Sequence, residues 1–407
     1  MKVFQINTVL NGSTGKIARG IYEIAKQNGI EGKIAYSRGP RIENPDFIRF
    51  GSKFGVYAHG MLARIFDTAG LHSSFATRTL IREIEKFNPD IIHLHNLHGY
   101  YLNYKMLLKY IAAKNINTVY TLHDCWSFTG HCAYFDMAGC EKWKKECHHC
   151  PNKKTYPKSF LFDRSRKNYN LKKKLFENIK DLTIVTPSNW LAGLVKESFL
   201  NKFDVKVIHN GIDLEVFKPT ESDFRKKYGL ENKKILLGVA GVWDTRKGLD
   251  DFIELRKQLN DDYAIVLVGL TPKQIDKLPD GIVGITRTES AEELAGIYTT
   301  ADVFVNPTYE DNFPTVNLEA LACGTPVITY NTGGSPECIY ESCGWVVRKG
   351  CFTELAKTVL LHEYNNQHFK KMCVLQGQTY NQNSRFADFI ELYQKKEVAI
   401  GDPHQKN

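Results

Sequence analysis

The stretch DVFVNPTYEDNFPTVNLEALACGTPVITYNTGGSPE, from Asp302 to Glu337, constrains the fold of this chain more than any other. Val303-Phe304-Val305 is a short apolar run of the kind that forms a buried parallel strand. A polar loop follows over 306–312 and carries Glu310 and Asp311. Pro314 stands at the first position of a helix, where its missing N–H costs nothing. Thr315 to Cys323 continues as that helix, and Gly324 ends it. Val327 to Tyr330 is the next strand, followed by Gly333-Gly334. Acids therefore lie at the carboxyl end of a strand, beside a helix N-terminus whose free N–H groups and positive dipole suit a phosphate. Glu319, deeper in the helix, is placed to turn inward and accept hydrogen bonds from ribose hydroxyls. The stretch reads as a nucleotide-diphosphate site with a sugar-facing acidic loop. The same spacing also describes an ordinary β-loop-α unit with solvated acids.

The pattern has a partner upstream. Ile235 to Val239 is a strand that meets Gly241-Val242-Trp243-Asp244-Thr245-Arg246-Lys247-Gly248, with a helix from Leu249. Arg246 and Lys247 beside glycines at a helix start form a phosphate clamp, charge from the side chains and donors from the backbone. Ala264 to Val268 is a further strand, 291–300 a helix, and beyond Gly344-Trp345-Val346-Val347 the pattern is mostly helical to about Lys396. Residues 400–407 read as a disordered tail.

The first half repeats the strand, turn and helix logic. Val3-Phe4-Gln5-Ile6 is a strand, followed by Asn11-Gly12-Ser13-Thr14-Gly15-Lys16 and a helical pattern at Ile17, Ile21, Ile24 and Ala25. Neither the GxxxxGK[ST] nor the G-x-G-x-x-G spacing is present, so these glycines serve a tight turn or a ligand loop equally well. Lys33 to Tyr36 is a second strand, 40–55 is irregular, and helices follow at 56–68 and 76–87. Pro89 to His95 is a buried strand bringing His93, His95 and His98 close together. Three imidazoles invite a metal. No Cys or carboxylate stands at matching spacing, so core or substrate contacts are expected instead. A helix over 102–114 leads to the strand Thr118 to Leu122, which ends in His123-Asp124-Cys125-Trp126. An imidazole at the carboxyl end of a strand in an open α/β sheet points into the ligand crevice. There it hydrogen-bonds a sugar hydroxyl or phosphate. Asp124 is placed to orient it or to cap the next segment; a partly buried loop histidine is the plain alternative. After a basic helix over 163–180, Leu182 to Thr186 is a strand, Ser188 caps the next helix, and Val205 to Ile208 closes this half.

Between these lies a polar insertion, 125–157, with Cys132, Cys140, Cys147 and Cys150 within nineteen positions. The N-terminus lacks a secretory pattern and no apolar run is long enough to span a bilayer, so the expected compartment is the cytoplasm. Reduced, clustered thiols there suggest a structural zinc over disulfides, with His131, His148 and His149 as alternative ligands. The remaining cysteines are scattered.

A chain of 407 residues is long for one core. It divides into 1–212, 213–382 and a terminal helix over 383–407 that packs back on the first domain, with the hinge at about 210–220. Net charge is +9 and uneven: residues 1–215 hold 32 Lys and Arg against 19 Asp and Glu, and the remainder 22 against 26. A basic first half suits an anionic surface such as membrane head groups or a phosphorylated substrate. No nucleic-acid-binding signature accompanies it, so no nucleic acid partner is expected. The run Lys172-Lys173-Lys174 reads as a solvated helix face.

The run FP-x-V-x-LEA-x-A-x-G-x-PV from Phe313 to Val327, the VIHNGID hinge and Arg246-Lys247-Gly248 together resemble glycosyltransferase family 4 over nearly the full length. The Cys-rich HDCW-x3-G-x-C segment is similar to a subgroup of bacterial surface-polysaccharide transferases. The resemblance implies an α/β GT-B fold, two Rossmann-like doubly wound domains facing across a cleft that closes on substrate. It implies a retaining glycosyltransferase with a nucleotide-diphosphate-sugar donor and no catalytic metal. The implied acceptor is a glycan or polyprenyl-diphosphate-linked glycan at the inner face of the plasma membrane. Lys247 would hold the donor diphosphate, Glu319 the ribose, and the backbone of Phe313, Pro314, Thr315 and Val316 the phosphate and sugar. His123 resembles the histidine that hydrogen-bonds the donor sugar, and Gly12 and Gly15 the glycine loop near the diphosphate. Two positions depart from the family. Its paired acids are spaced Glu-x7-Glu, which puts Asp311, or one residue off Glu310, in the sugar-facing role. Its arginine six residues before the phosphate lysine is Gly241 here, so Arg246 compensates or the donor sits differently. A nucleotide-sugar epimerase on the same fold, and a catalytically idle nucleotide-sugar-binding protein, are the alternatives.

Overall fold

The computed structural model describes residues 1–364 and 366–401. It divides into two α/β units, the first formed by Met1–His209 with the chain from Asn383 onward, the second by Asn210–Gln382. The division thus falls at His209, slightly earlier than the sequence boundary at 212.

The first unit contains strands β1 (Lys2–Ile6), β2 (Glu31–Tyr36), β3 (Phe47–Arg49), β4 (Ile91–Leu94), β5 (Asn117–Thr121), β6 (Leu182–Thr186) and β7 (Asp204–Val207). They form one parallel sheet in the order β3-β2-β1-β4-β5-β6-β7. The second contains β8 (Lys234–Val239), β9 (Tyr263–Val268), β10 (Ile282–Ile285), β11 (Val303–Asn306), β12 (Val327–Tyr330) and β13 (Gly344–Val347), parallel in the order β10-β9-β8-β11-β12-β13. Both are doubly wound sheets. The central strands β4, β5 and β6 are buried at every position, as helices on both faces require, and read as runs of mainly apolar and β-branched residues.

Strands β3 and β10 fall where the sequence pattern indicates none. β3 lies inside 40–55, whose sequence reads as irregular, and β10 follows a Pro-Asp-Gly turn. Both are edge strands, paired on one side only, so neither needs a continuous apolar run.

The terminal helix Gln382–Gly401 packs on the first unit. Its Phe386, Phe389, Ile390 and Tyr393 join a core with Val3, Ile17, Ile21, Val119 and Val185. Each buried aromatic there contributes roughly 1.5–3 kcal/mol. The tail expected over 400–407 is helical to Gly401, and residues 402–407 lie outside the described residues.

The solvated face expected at Lys172-Lys173-Lys174 is corrected in part. Lys173 and Lys174 are exposed, but Lys172 is buried. Its ammonium lies 3.4 Å from the Trp126 ring centroid and donates to the carbonyls of Trp126 at 2.6 Å and Thr129 at 3.0 Å. These partners replace water around the charge. Among the described residues no helix is long and apolar enough to cross a membrane.

Candidate active site

In the second unit the chain order reverses between β8 and β11. Ligands of open α/β sheets bind outside the carboxyl ends of the strands at such a point. The loops leaving these two strands are 240–248 and 307–314, and they are stitched together. Gly248 has φ +72, and a Cβ there would stand 2.3 Å from the Pro307 carbonyl oxygen, so only glycine lets the loops meet. Tyr309 N donates to the Arg246 carbonyl at 2.8 Å, and the Arg246 guanidinium donates to the Glu310 carbonyl at 2.8 Å. The Lys247 ammonium is ion-paired with the Asp311 carboxylate, the two side chains being 17% and 15% exposed. Asp311 is therefore the acid that faces the lysine, while Glu310 meets Arg246 through its backbone.

The helix Thr315–Ala322 starts beside this pair. Pro314 is its N-cap in an extended conformation, φ −72 and ψ 114, rather than its first helical residue, and no side chain caps this end. The helix also ends at Ala322, with Cys323 as its C-cap, one position short of the sequence reading. Phe313 is buried, and its carbonyl accepts from the Asn210 amide at 3.3 Å. Thr315 and Val316 are half-buried. Glu319 is half-buried and accepts a hydrogen bond from the Tyr298 hydroxyl at 3.1 Å.

Sequence reasoning missed the polar ties beneath this loop. Asn306 donates to Asn317 at 2.8 Å, Asn317 donates to the Ser335 hydroxyl at 3.0 Å, and Thr329 and Ser335 hydroxyls meet at 2.7 Å. All four are buried. They lock strand, helix and following turn in one register. The signal available was two asparagines inside otherwise apolar segments.

In the first unit the corresponding reversal lies between β1 and β4. The helix Ser13–Gln27 begins there, with Gly12 as N-cap at φ 80 and no side-chain cap. A Cβ on Gly15 would stand 2.4 Å from the Leu10 carbonyl carbon, which fixes the close approach of turn and helix.

His123 lies at the end of β5 in a chain of side chains. Its Nε2 meets His95 Nδ1 at 3.1 Å, and His95 Nε2 meets Gln5 Oε1 at 3.0 Å. With the Gln5 carbonyl facing His95 Nε2, that nitrogen carries the proton. His95 Nδ1 then accepts from His123 Nε2–H, which leaves His123 Nδ1 as an acceptor. Beside them His93 bonds the Tyr393 hydroxyl at 2.6 Å and Thr121 at 2.8 Å. Burial pushes His123 down to about 4 and His93 to about 3, and holds His95 well below its usual value. His123 is therefore neutral at physiological pH.

Asp124 does not orient His123. It accepts from His98 Nε2 at 2.7 Å and caps Trp126 N at 2.9 Å, while His98 Nδ1 meets the Tyr156 hydroxyl at 2.9 Å.

Cys132, Cys140, Cys147 and Cys150 line one small pocket together with His131 and His148. All ten cysteines are free thiols. Cys132 hydrogen-bonds Cys150, and Cys147 accepts from Gly130 N at 3.2 Å. His131 is held through Nδ1 by Asp67 at 2.5 Å, and its buried Nε2 has no hydrogen-bond partner among the described residues. Among the described residues no three His, Cys, Asp or Glu side chains are arranged to hold a metal ion. The four thiols are thus gathered but not set in a preformed four-ligand site.

Residues 27–216 match the family described as Glycosyltransferase Family 4, and 220–373 the family described as Glycosyl transferases group 1. WcaC of Escherichia coli (strain K12), named as a glycosyl transferase of colanic acid biosynthesis, is 27% identical over 366 residues, covering 85% of this chain and 87% of that protein. Sucrose-phosphate synthase from Thermosynechococcus elongatus superposes with a TM-score of 0.72 at 17% identity, covering 98% of this chain and 99% of that one. Anabaena HepE, solved with UDP-glucose, gives 0.67 at 14% identity, covering 97% and 100%. At such identities these two solved structures speak for the fold alone, and that fold is GT-B.

Proposed function

Because this chain belongs to the family 4 and group 1 glycosyltransferases, we propose that it is a retaining glycosyltransferase using a nucleotide-diphosphate-sugar donor. Its acceptor is a glycan or lipid-linked glycan in surface-polysaccharide synthesis. The observation that carries this reading is the Lys247–Asp311 pair beside the uncapped N-terminus of Thr315–Ala322. A cation next to free helical N–H groups neutralises the charge that develops on a departing diphosphate. The UDP-glucose carried by HepE supports the donor class, and the name of WcaC supports the polysaccharide context.

Lys247 takes the diphosphate. Arg246 braces the acid loop through the Glu310 carbonyl, so its part is chiefly to hold Asp311 in place. Asp311 turns to the donor sugar, Glu319 to the ribose, and neutral His123 offers a lone pair to a sugar hydroxyl. With Asp311 engaged by Lys247 and no covalent nucleophile assigned among the described residues, the acceptor hydroxyl attacks from the leaving-group side and the departing phosphate takes its proton. No catalytic metal enters. The basic first half supports action at an anionic inner membrane surface. A structural zinc at the cysteine pocket belongs to the same reading. The gathered thiols and the unpartnered His131 Nε2 support it, and binding would draw the sulfurs inward. The test is release of nucleoside diphosphate from a panel of nucleotide sugars, with Lys247→Ala as control. Release by the native chain alone supports the reading; no release, or release unchanged in the variant, contradicts it.

A further inference from the structure

Gln5, His95 and His123 form a row of side chains drawn from three neighbouring strands. Gln5 stands in β1, His95 directly after β4, and His123 two residues after β5. Gln5 and His95 are buried and His123 is half-buried. The His95 and His123 rings are 16° from coplanar with centroids 5.4 Å apart, and their facing nitrogens stand at 3.1 Å. Rings set edge to edge in one plane at that distance share an in-plane N–H···N bond. His93 lies against His95, ring centroids 4.2 Å apart, and is itself tied to the Tyr393 hydroxyl and to Thr121. It restricts the His95 ring without taking either of its nitrogens.

The direction of hydrogen bonding along such a row is set at one end. A neutral imidazole has one N–H and one lone pair, so each ring hands on the direction it receives. Burial keeps both His95 and His123 neutral. A Gln5 carbonyl oxygen at His95 Nε2 fixes the proton there, turns the His95 Nδ1 lone pair to His123 Nε2–H, and leaves His123 Nδ1 as a lone pair. A Gln5 amide nitrogen in the same place would reverse every bond and leave His123 Nδ1–H as a donor. Oε1 is the atom that faces His95, at 3.0 Å. Among the described residues no other side chain hydrogen-bonds the His123 ring, so nothing else selects its tautomer.

We infer that Gln5 and His95 are positioning residues that hold His123 in the Nε2–H tautomer, so that the site favours a donor sugar with a hydroxyl at His123 Nδ1 over one with a group there that can only accept. The inference rests on the glycosyltransferase reading for the identity of the ligand and names what sets its sugar selectivity. A buried lone pair that receives a hydroxyl proton is left facing another acceptor when that hydroxyl is replaced by fluorine, and binding falls accordingly.

The test begins with the full chain labelled with nitrogen-15 at histidine, at pH 8 and without ligand. Ring nitrogen shifts report which nitrogen carries the proton, and the signals lost in His123→Gln assign His123 among the 13 histidines. The native chain shows His123 protonated at Nε2 and bare at Nδ1. In Gln5→Leu and in His95→Phe the direction is no longer set, and both His123 nitrogens move to intermediate shifts. Protonation at Nδ1 in the native chain, or an unchanged tautomer in both variants, overturns the proposal. The first of these outcomes is read on the native chain and does not depend on how the variants fold.

Binding is then measured for UDP-glucose, GDP-mannose and ADP-glucose, and for UDP, GDP and ADP. The nucleotide sugar that binds the native chain is held roughly tenfold more weakly by Gln5→Leu, while the matching nucleoside diphosphate is held equally. Among the monodeoxyfluoro analogues of that sugar, one binds the native chain at least about tenfold more weakly than its parent, and Gln5→Leu narrows the gap. Equal weakening of sugar nucleotide and diphosphate, or a gap unchanged in Gln5→Leu, overturns the selecting role. If a nucleotide sugar binds while the histidine spectrum contradicts the row, the inference falls and the function stands. If none of the six nucleotides binds the folded native chain, the functional reading falls and the selecting role with it.

Discussion

Lys247 and Asp311 meet as ammonium and carboxylate, brought together by loops that leave the neighbouring strands β8 and β11. The pair holds the lysine in place before any ligand arrives, and a diphosphate must then share that ammonium with the carboxylate.

Competition of this kind separates the two residues in a kinetic experiment. Lys247→Ala lowers turnover by about 10²–10³-fold, the range for losing one preorganised electrostatic stabiliser. Asp311→Asn frees the lysine, so nucleoside diphosphate binds several-fold more tightly, by roughly 1 kcal/mol or less, while sugar transfer slows. Equal weakening of diphosphate binding by both substitutions would show the pair to be only a brace.

Gly248→Ala disturbs both loops at once. The new Cβ meets the Pro307 carbonyl at 2.3 Å in a left-handed backbone. Strain and the forced separation together cost on the order of 1–3 kcal/mol. Calorimetry reads this as a lowered melting temperature, and activity falls further than stability because Lys247 moves away from Asp311. Full activity in this variant would mean that the loops need not touch.

Acid pH acts through the buried histidines. Their folded values lie below the free value of 6.5, at about 3 for His93 and about 4 for His123, because burial disfavours the charged ring. The unfolded chain therefore binds more protons between pH 6.5 and those values. Stability is fully present above 6.5 and is lost as pH falls toward 4, on the order of 1–2 kcal/mol per ring by pH 5. Urea unfolding at pH 7.5 and pH 5 measures it. Equal midpoints would show that these rings protonate freely in the folded state. His123 itself stays neutral to about pH 5, so no loss of turnover between pH 8 and pH 6 is assigned to it.

The elements that sequence revealed and those it hid differ for physical reasons. β4, β5 and β6 are covered on both faces and are built mainly of apolar and β-branched residues, so they stand out in the chain. β3 and β10 lie at sheet edges and carry no such obligation. Lys172 was misplaced because composition cannot show that a ring and two carbonyls await its ammonium. In the candidate site, strand-loop-helix order exposed the neighbourhood of Lys247, Asp311 and Thr315. Adjacent residues differ only in where the backbone aims them, so which of Glu310 and Asp311 pairs with Lys247 is visible only in three dimensions. Of the two roles open to Asp124, capping the next segment is met at Trp126 N, whereas its imidazole partner is His98, presented by tertiary packing, and not the adjacent His123.

Metal content tests the cysteine pocket. The reading with a structural zinc gives about one zinc per chain, and removal by a strong chelator lowers the melting temperature by several degrees, since metal bound only by the folded state stabilises it. Cys147→Ser or His131→Ala lowers zinc occupancy. Metal-free protein with an unchanged melting temperature would leave Cys132, Cys140, Cys147 and Cys150 as a thiol-lined pocket.

The most direct test of donor use is a thermal-shift panel of UDP-, GDP-, ADP- and CMP-sugars, run with and without EDTA on the native chain and on Lys247→Ala. The account predicts a rise in melting temperature with one nucleotide class, undiminished by EDTA relative to the same chelated protein without ligand, and lost in Lys247→Ala. No rise with any nucleotide sugar on folded protein, or an equal rise in the variant, would contradict it.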